Sequence, residues 1–304
     1  MAVKSYLAEE LIELMHIMGN ISGTPVDGTE DADLLQHLNQ AMMTELVPEL
    51  MKRHEEYFVV SRRYEVTTGR IRIPTRAVGN KMRDIRWLNG TDRNKLRQLN
   101  REDLWLQTTS GASIPWAFYL EGNHIVFVPE LASGTTEISF CFRPGQLVLS
   151  TETRRITAVD ITLGTLTLAS EPPIAWDASL SYDIHGGTSG AEIKQFDLIP
   201  TDITSAVMTF DVDDLDGTLF GSYVPEVGDY ICLAGEAALP ALPIELHPTL
   251  AQAALVRTME ASGDAEQVQM HAAQLNRSLE KSVTLTETRV DSQPKRIIRH
   301  SPFI

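Results

Sequence analysis

The stretch Pro115-Trp-Ala-Phe-Tyr-Leu-Glu-Gly-Asn-His-Ile-Val-Phe-Val-Pro129 decides what kind of fold the chain forms. Its first half is an aromatic run and its second half is a β-branched run, with Glu121-Gly-Asn between them. Aromatic and β-branched residues favour strands, and a Gly-Asn pair between two such runs favours a tight reversal. The stretch therefore predicts a β-hairpin in the middle of the chain.

Strand patterns continue on both sides of this hairpin. Residues 58–66 and 70–74 alternate like half-buried strands, and 84–90 predicts a strand that ends in an Asn-Gly turn. Residues 92–104 suit a short helix, and 135–144 predict a further strand. The first half of the chain therefore contains a β segment that is interrupted once.

Residues 147–236 predict a separate β module, because short strands recur there between turn residues. Such spacing favours a small barrel or sandwich. Pro173 to Gly186 resembles Val224 to Gly235, which indicates either a duplicated unit or a chance likeness between two hairpins. The predicted strands are 154–160, 164–169, 180–185, 192–198, 205–210 and 229–233.

Helical patterns occupy both ends of the chain. Residues 5–18 predict one helix, and a second runs from Asp31 or Asp33 to about Glu56, interrupted at Pro48. Residues 247–281 predict an antiparallel helical hairpin with Gly263 at its turn. The expected fold class is α+β, a helical bundle frame from the N- and C-terminal helices with β-strands and an inserted all-β barrel or sandwich module. The expected parts are a body made of the N-terminal helices and the β segment (1–146), the β module (147–236), the helical hairpin that completes this body (237–281) and an extended tail (282–304).

The tail combines apolar and basic residues, which a free terminus normally avoids. The sequence favours docking of this tail on a partner, and the alternative is that it folds back onto its own body. The candidate docking residues are Arg296, Ile297, Ile298, Arg299, Phe303 and Ile304.

Charge is distributed in blocks, and the total is -15. Residues 59–110 carry 12 basic and 5 acidic groups, whereas 111–250 carry 4 basic and 19 acidic groups. The basic block suits either DNA or an acidic neighbour, including a second copy of the chain, and the abundant acidic surface favours the neighbour. The candidate basic face consists of Arg62, Arg63, Arg70, Arg72, Arg83 and Arg86.

The sequence contains no catalytic or metal-binding template. HExxH, GxSxG, a P-loop and zinc-ligand spacing are all missing, so we expect no enzyme, no cofactor and no metal site. Placing Gly217 at the sixth position of a calcium loop puts Val212 and Tyr223 at ligand positions, so residues 211–216 predict a solvated loop, with an irregular cation site as the alternative. We expect Cys141 and Cys232 to be buried as small apolar residues, with a disulfide as the alternative.

No apolar run is long enough to span a bilayer, and the N-terminus lacks the features of a secretory signal. A carbohydrate- or surface-binding role for residues 147–236, which include Trp176 and Tyr182, is the alternative function.

The order of elements resembles the head-to-tail adaptor proteins of tailed bacteriophages, in particular the tail tubular adaptor of short-tailed phages. The resemblance covers residues 1–146 and 237–304. The local sequence is similar at Arg86-Trp-Leu-Asn-Gly, in the hairpin from Pro115 and in Pro294-Lys-Arg-Ile-Ile-Arg. It implies a virion structural protein, assembled in the host cytoplasm and located in the neck, that forms a ring of about twelve copies. It further implies that the tail docks on the portal protein, that tail or nozzle proteins bind below, and that DNA passes through the ring without sequence-specific binding.

Overall fold

The structure, a computed structural model, describes residues 5–19, 31–100, 102, 114–129, 134–187, 192–220, 223–263 and 265–286. Its helices are α1 (Ala8–Gly19), α2 (Asp31–Ala41), α3 (Val47–Arg53), α4 (Val212–Leu215), α5 (His247–Ser262) and α6 (Ala265–Thr286). Its strands are β1 (Val59–Val66), β2 (Arg70–Arg72), β3 (Ala77–Asn89), β4 (Asp92–Lys95), β5 (Arg97–Gln98), β6 (Ala117–Glu121), β7 (His124–Val128), β8 (Gly134–Phe142), β9 (Gln146–Leu147), β10 (Arg154–Asp160), β11 (Thr165–Leu168), β12 (Tyr182–His185), β13 (Ile193–Leu198), β14 (Asp202–Thr204), β15 (Val207–Thr209), β16 (Tyr230–Leu233) and β17 (Glu236–Ala237). The predicted α+β class is confirmed.

Helices from both ends of the chain share one apolar core. α5 packs against α1, α2 and α6, so the first and last parts of the chain fold together. An amphipathic helix places residues three and four apart on one face, and in these helices the apolar face is the one that packs into the core. The core includes Leu11, Met15, Leu34, Leu38, Leu50, Leu250, Ala254 and Leu275.

The interruption predicted at Pro48 takes the form of a π-helical turn over Met42–Leu46. Val47 donates its N–H to the carbonyl of Met42, five residues back. Proline has no N–H and clashes with the carbonyl four residues before it, and a wider turn relieves that clash. Pro48 then lies in the first turn of α3, where no amide donor is needed.

The C-terminal helical hairpin is confirmed, and its second helix is longer than predicted. Gly263 ends α5 with φ +80°, the left-handed conformation that glycine adopts without strain. α6 continues to Thr286, five residues into the range predicted as tail. Ser282-Val-Thr-Leu-Thr has weak helix propensity, but extending an existing helix costs far less than starting one.

Two four-stranded sheets form the central β region. One has the order β1-β8-β3-β4, and the other has the order β2-β7-β6-β5. The hairpin predicted from Pro115 to Pro129 is confirmed as β6 and β7, with Glu121 paired to His124 beside the turn. Trp87 of the first sheet meets Phe127 of the second at 5.3 Å between ring centroids, so the two sheets share a core.

The short helix predicted within residues 92–104 is wrong for the residues that the structure describes. Asp92–Lys95 is a strand, β4, which pairs with β3 after the turn at Gly90. Arg97 and Gln98 form β5 and pair with β6. Pairing with strands that are already in place overrides the weak local preference for helix.

The β module shares its core with the central sheets. All six predicted strands are present, as β10, β11, β12, β13, β15 and β16. They belong to one sheet with the order β13-β12-β16-β10-β11-β15-β14, and a closed barrel is not confirmed, since no sheet of the described residues closes. Residues 1–146 contact the module at β13 and at the segment after α4. The side chain of Arg62 donates to the carbonyl of Phe196, and the backbone N–H of Arg63 donates to the carbonyl of Leu219.

The two similar segments of the module lie next to each other. β12 and β16 pair antiparallel, with Tyr182 opposite Leu233 and His185 opposite Tyr230. Tyr182 and Tyr230 hold equivalent positions in the two similar segments, as do His185 and Leu233. The two pairs are therefore related to each other by exchange of the segments. The outer neighbours do not follow this symmetry, because β13 comes after β12 in the chain whereas β10 comes before both similar segments. The duplication stays a prediction.

His247 ties the start of α5 to the segment before α1. Its Nδ1 accepts the N–H of Tyr6 at 3.2 Å, so its Nε2 carries the proton and donates to the carbonyl of Leu242 at 3.1 Å. Burial lowers the pKa of His247, although its backbone hydrogen bonds act in the opposite direction. The native state therefore holds this imidazole neutral.

Stability is expected to fall as the pH drops below 6.5, the ordinary pKa of histidine. The unfolded state takes up a proton on His247 before the folded state does, which costs at most about 1.4 kcal/mol at pH 5.5. Urea unfolding at pH 7.5 and 5.5 measures the loss, and His247→Gln should reduce it. His185, whose pKa is also lowered by burial, stays in both proteins. Equal losses in both proteins would contradict the assignment.

Candidate interaction surfaces

Arg62 of the predicted basic face points inward. Its guanidinium lies 5.2 Å from the ring centroid of Phe196 and 5.0 Å from that of Phe220. It donates to the carbonyl of Phe196 at 3.2 Å and lies 3.7 Å from a carboxylate oxygen of Asp197. Arg62 thus binds the module to the central sheets within one chain.

Three more of the predicted residues have carboxylate partners within the chain. Arg63 and Arg86 lie 3.8 Å and 3.7 Å from oxygens of Glu137, whose side chain is only 8% exposed. Arg83 pairs with Glu56. These contacts pair the arginines with carboxylates of the same chain, although Glu137 is shared with Arg93 as well.

The other two residues of the predicted basic face, Arg70 and Arg72, lie on the surface of the protein. Both are exposed on β2, an edge strand, opposite Val126 and His124 of β7. Neither has an ion-pair partner among the residues that the structure describes. Arg97 is exposed on β5, at the other edge of the same sheet. The candidate basic surface is therefore this sheet, smaller than the predicted face, and its contact with another copy stays a prediction.

Arg76, which sequence reasoning missed, belongs to a buried ionic cluster. Its Nη2 lies 2.8 Å from Asp183 and its Nη1 lies 3.5 Å from Asp197, while its guanidinium stacks on Phe142. Burial, followed by the negative charge of Asp183, raises the pKa of Asp197. Asp183 was the signal in the sequence for this cluster, because a charged residue within the apolar strand Tyr182 to His185 needs a partner of opposite charge.

Asp183 is wholly buried and organises the backbone around this cluster. Its carboxylate accepts the N–H groups of Asp197 at 2.9 Å and Gly235 at 3.0 Å. Asp183, Arg76 and Asp197 come from β12, from the segment between β2 and β3, and from β13. The cluster therefore joins the module to the body.

The two cysteines are free and buried, which confirms the favoured prediction and excludes the disulfide. Cys232 donates its S–H to the carbonyl of Glu236 at 3.0 Å. Burial raises the pKa of the Cys232 thiol, so the thiol stays protonated. This sulfur is therefore a weak nucleophile.

The acidic run after β15 is internally hydrogen-bonded. Asp211 caps α4 by accepting the N–H of Asp213, and Asp216 accepts both the N–H and the hydroxyl of Thr218 at 2.6 Å. The predicted loop is thus a short helix followed by a turn. Across the described ranges, no three His, Cys, Asp or Glu side chains are grouped so that they hold a metal ion.

Trp176 and Tyr182, the module's candidate sugar-binding residues, are both buried. Their rings meet edge to face at 5.0 Å, and the Tyr182 hydroxyl donates to the carbonyl of Asp177. Sugar binding by stacking needs an exposed aromatic face, so these two residues do not provide a sugar-binding platform.

A cavity of about 350 Å³ lies between β1 and β13. We call it the aromatic pocket, because its lining includes Tyr57, Phe58, Phe142, Phe196, Phe220 and Tyr223. The carboxylate of the exposed Glu192 at its edge raises the pKa of the Tyr223 hydroxyl. Burial, followed by the charges of Glu192 and Glu245, raises the pKa of Tyr57. The pocket therefore combines apolar walls with a negative edge.

The six tail residues predicted to dock on a portal lie outside the described residues. No helix in the described part of the chain is both long and apolar enough to cross a membrane. No protein-family model matches the chain, and a comparison with curated proteins finds no significant match. The resemblance to phage adaptors therefore rests on the sequence features already described.

Proposed function

We propose that this chain is a structural adaptor that forms a closed ring between the portal of a phage capsid and the tail. In this proposal the helices of both chain ends form a bundle frame, and the β module is inserted into it. The ring continues the DNA channel, tail or nozzle proteins bind its lower side, and the protein resides in the virion neck after assembly in the host cytoplasm. No catalytic step belongs to this role.

The observation that carries the proposal is the separation of charge over the surface. Residues 147–236 hold 15 acidic and 3 basic groups, and every acidic side chain among them except Asp183 and Asp229 is at least partly exposed, whereas exposed Arg70, Arg72 and Arg97 lie on one central sheet. Opposite potentials on two parts of one chain favour head-to-tail contact between copies, and such contacts close into a ring when the rotation permits. Single exposed ion pairs contribute little, but a ring repeats each contact at every interface.

A charge reversal tests the ring. Arg70→Glu combined with Arg72→Glu should reduce the ring population in native mass spectra or negative-stain images of the full chain with its portal. A single charge reversal outside this sheet is the control: Lys52→Glu changes a residue of α3 that is 78% exposed and should leave the ring population unchanged. A ring population unchanged by the double reversal would remove the proposed interface, and a persistent monomer in the wild type with portal would contradict the ring itself.

Deletion of Arg289–Ile304 tests the docking role of the tail. The truncated chain should keep its fold, judged by circular dichroism, and lose portal binding in a pull-down with purified portal, because the apolar anchors are gone. A control that lacks only Arg289–Asp291 keeps Arg296 to Ile304 and should still bind. Portal binding by the longer deletion would show that the contact lies elsewhere.

A further inference from the structure

We propose that, in the free chain, the segment Arg296-Ile-Ile-Arg299 binds in cis to the aromatic pocket. This inference stands independently of the ring. It commits to one of the two alternatives that the sequence left open for the tail, namely contact with its own body.

The walls of the pocket fit the apolar half of this segment. Phe58, Phe142, Phe196 and Phe220 are buried or nearly buried, whereas Tyr57 and Tyr223 at the edge are 43% and 47% exposed. The volume of about 350 Å³ lies at the lower end of the range for ligand pockets, roughly 300–1,000 Å³. Isoleucine side chains entering such a space leave water for an apolar environment, which drives binding.

The charge at the edge of the pocket fits the basic half. Glu192 and Glu245 are both exposed, and both lie close enough to Tyr57 to act on its hydroxyl. The lining residue Lys194 does not cancel them, because its ammonium lies 2.8 Å from Glu226 and 2.9 Å from Asp229. Two arginines flanking two isoleucines therefore meet a negative edge and exposed tyrosine faces.

The end of α6 lies on the correct side of the molecule. Gln252 of α5 contacts Gln274 and Ser278 of α6, and the antiparallel course carries later residues of α6 past the start of α5. α6 also contacts the 3-10 turn Ile244–Leu246, which carries Glu245. From Thr286 to Arg296 there are ten residues, which span up to about 33 Å when extended.

Portal docking uses the same four residues as the pocket, so the two contacts exclude each other. The pocket then holds the segment in the free chain, and a partner that takes up the tail leaves the pocket open.

Trypsin cleavage of the full-length chain tests the inference. Cleavage after Lys295, Arg296 and Arg299, followed by intact mass, reports how accessible the segment is. Glu192→Arg should speed this cleavage about fivefold, since it replaces attraction by repulsion at the pocket edge. Glu171→Arg is the matched control: it makes the same charge change at an exposed site of the module and should leave the rate unchanged.

A charge swap provides the second measurement. Arg296→Glu with Arg299→Glu should speed hydrogen exchange in peptides that cover residues 57–61 and 192–198, and adding Glu192→Arg should restore slow exchange. Equal trypsin rates in wild type, Glu192→Arg and Glu171→Arg would overturn the proposal. Protection of the tail from trypsin that is lost on dilution would also overturn it, because it indicates binding of the tail of a second copy. The Arg70→Glu and Arg72→Glu variant leaves the tail segment and the pocket lining unchanged and should keep the slow trypsin cleavage, so failure of the pocket and failure of the ring remain distinguishable.

Discussion

Replacing Asp183 by alanine is expected to lower the free energy of unfolding by about 3–5 kcal/mol. The substitution leaves the charge of Arg76, whose side chain is 12% exposed, with only Asp197 at 3.5 Å. It also leaves the N–H groups of Asp197 and Gly235 without their acceptor, which adds a desolvation cost. Urea unfolding followed by circular dichroism measures the loss.

Two comparisons separate the ionic cluster from a general effect of the substitution. Asp213→Ala changes an exposed aspartate of the same module and should shift the free energy of unfolding by less than about 0.5 kcal/mol. Arg76→Met removes the other partner, and the double variant should lose less than the sum of the two single variants. Strict additivity would contradict the ion pair between Arg76 and Asp183.

Phe196→Ala is expected to destabilise the fold by about 3–5 kcal/mol. Phe196 is 2% exposed and meets the rings of Phe142 and Phe220 at 5.0 Å and 5.1 Å. The guanidinium of Arg62 also stacks on it, so the substitution opens a cavity where the module meets the body. Thermal unfolding measures the effect.

The matched control for this cavity is Ile174→Ala. Ile174 is fully exposed, so losing its side chain should change the stability by less than about 0.5 kcal/mol. Phe196→Leu keeps part of the volume and should lose less than Phe196→Ala. A similar small loss for both Phe196 variants would mean that the aromatic cluster does not hold the module in place.

The local elements of the fold could be predicted because their signals are local. The hairpin from Pro115 to Pro129, the six module strands and the Gly263 helix end follow from residue type and spacing. The prediction failed at 92–104, where β4 and β5 pair with strands whose positions depend on the whole sheet. It also failed to show whether the module sheet closes, because closure depends on contacts with the body.

The candidate surfaces were predictable only in part. A basic block was visible in the sequence, but spacing does not reveal which arginines meet a carboxylate. Arg62 and Asp197 are far apart in the chain, as are Arg76 and Asp183, yet both pairs are in contact. Only Arg70 and Arg72 of the six predicted residues stay outward without an ion pair among the described residues.

The sequence by itself determined the elements: two helical ends, a central hairpin, strand-rich residues 147–236 and two buried cysteines. Periodicity and turn chemistry act over a few residues, so these features need no knowledge of the fold. The tertiary structure alone decided the rest. It joined both chain ends in one helical core, paired four of the six predicted arginines with carboxylates and formed the aromatic pocket from β1, β13 and the segment around Phe220. Burial and charge pairing depend on residues distant in sequence, which is why only the folded chain reveals them.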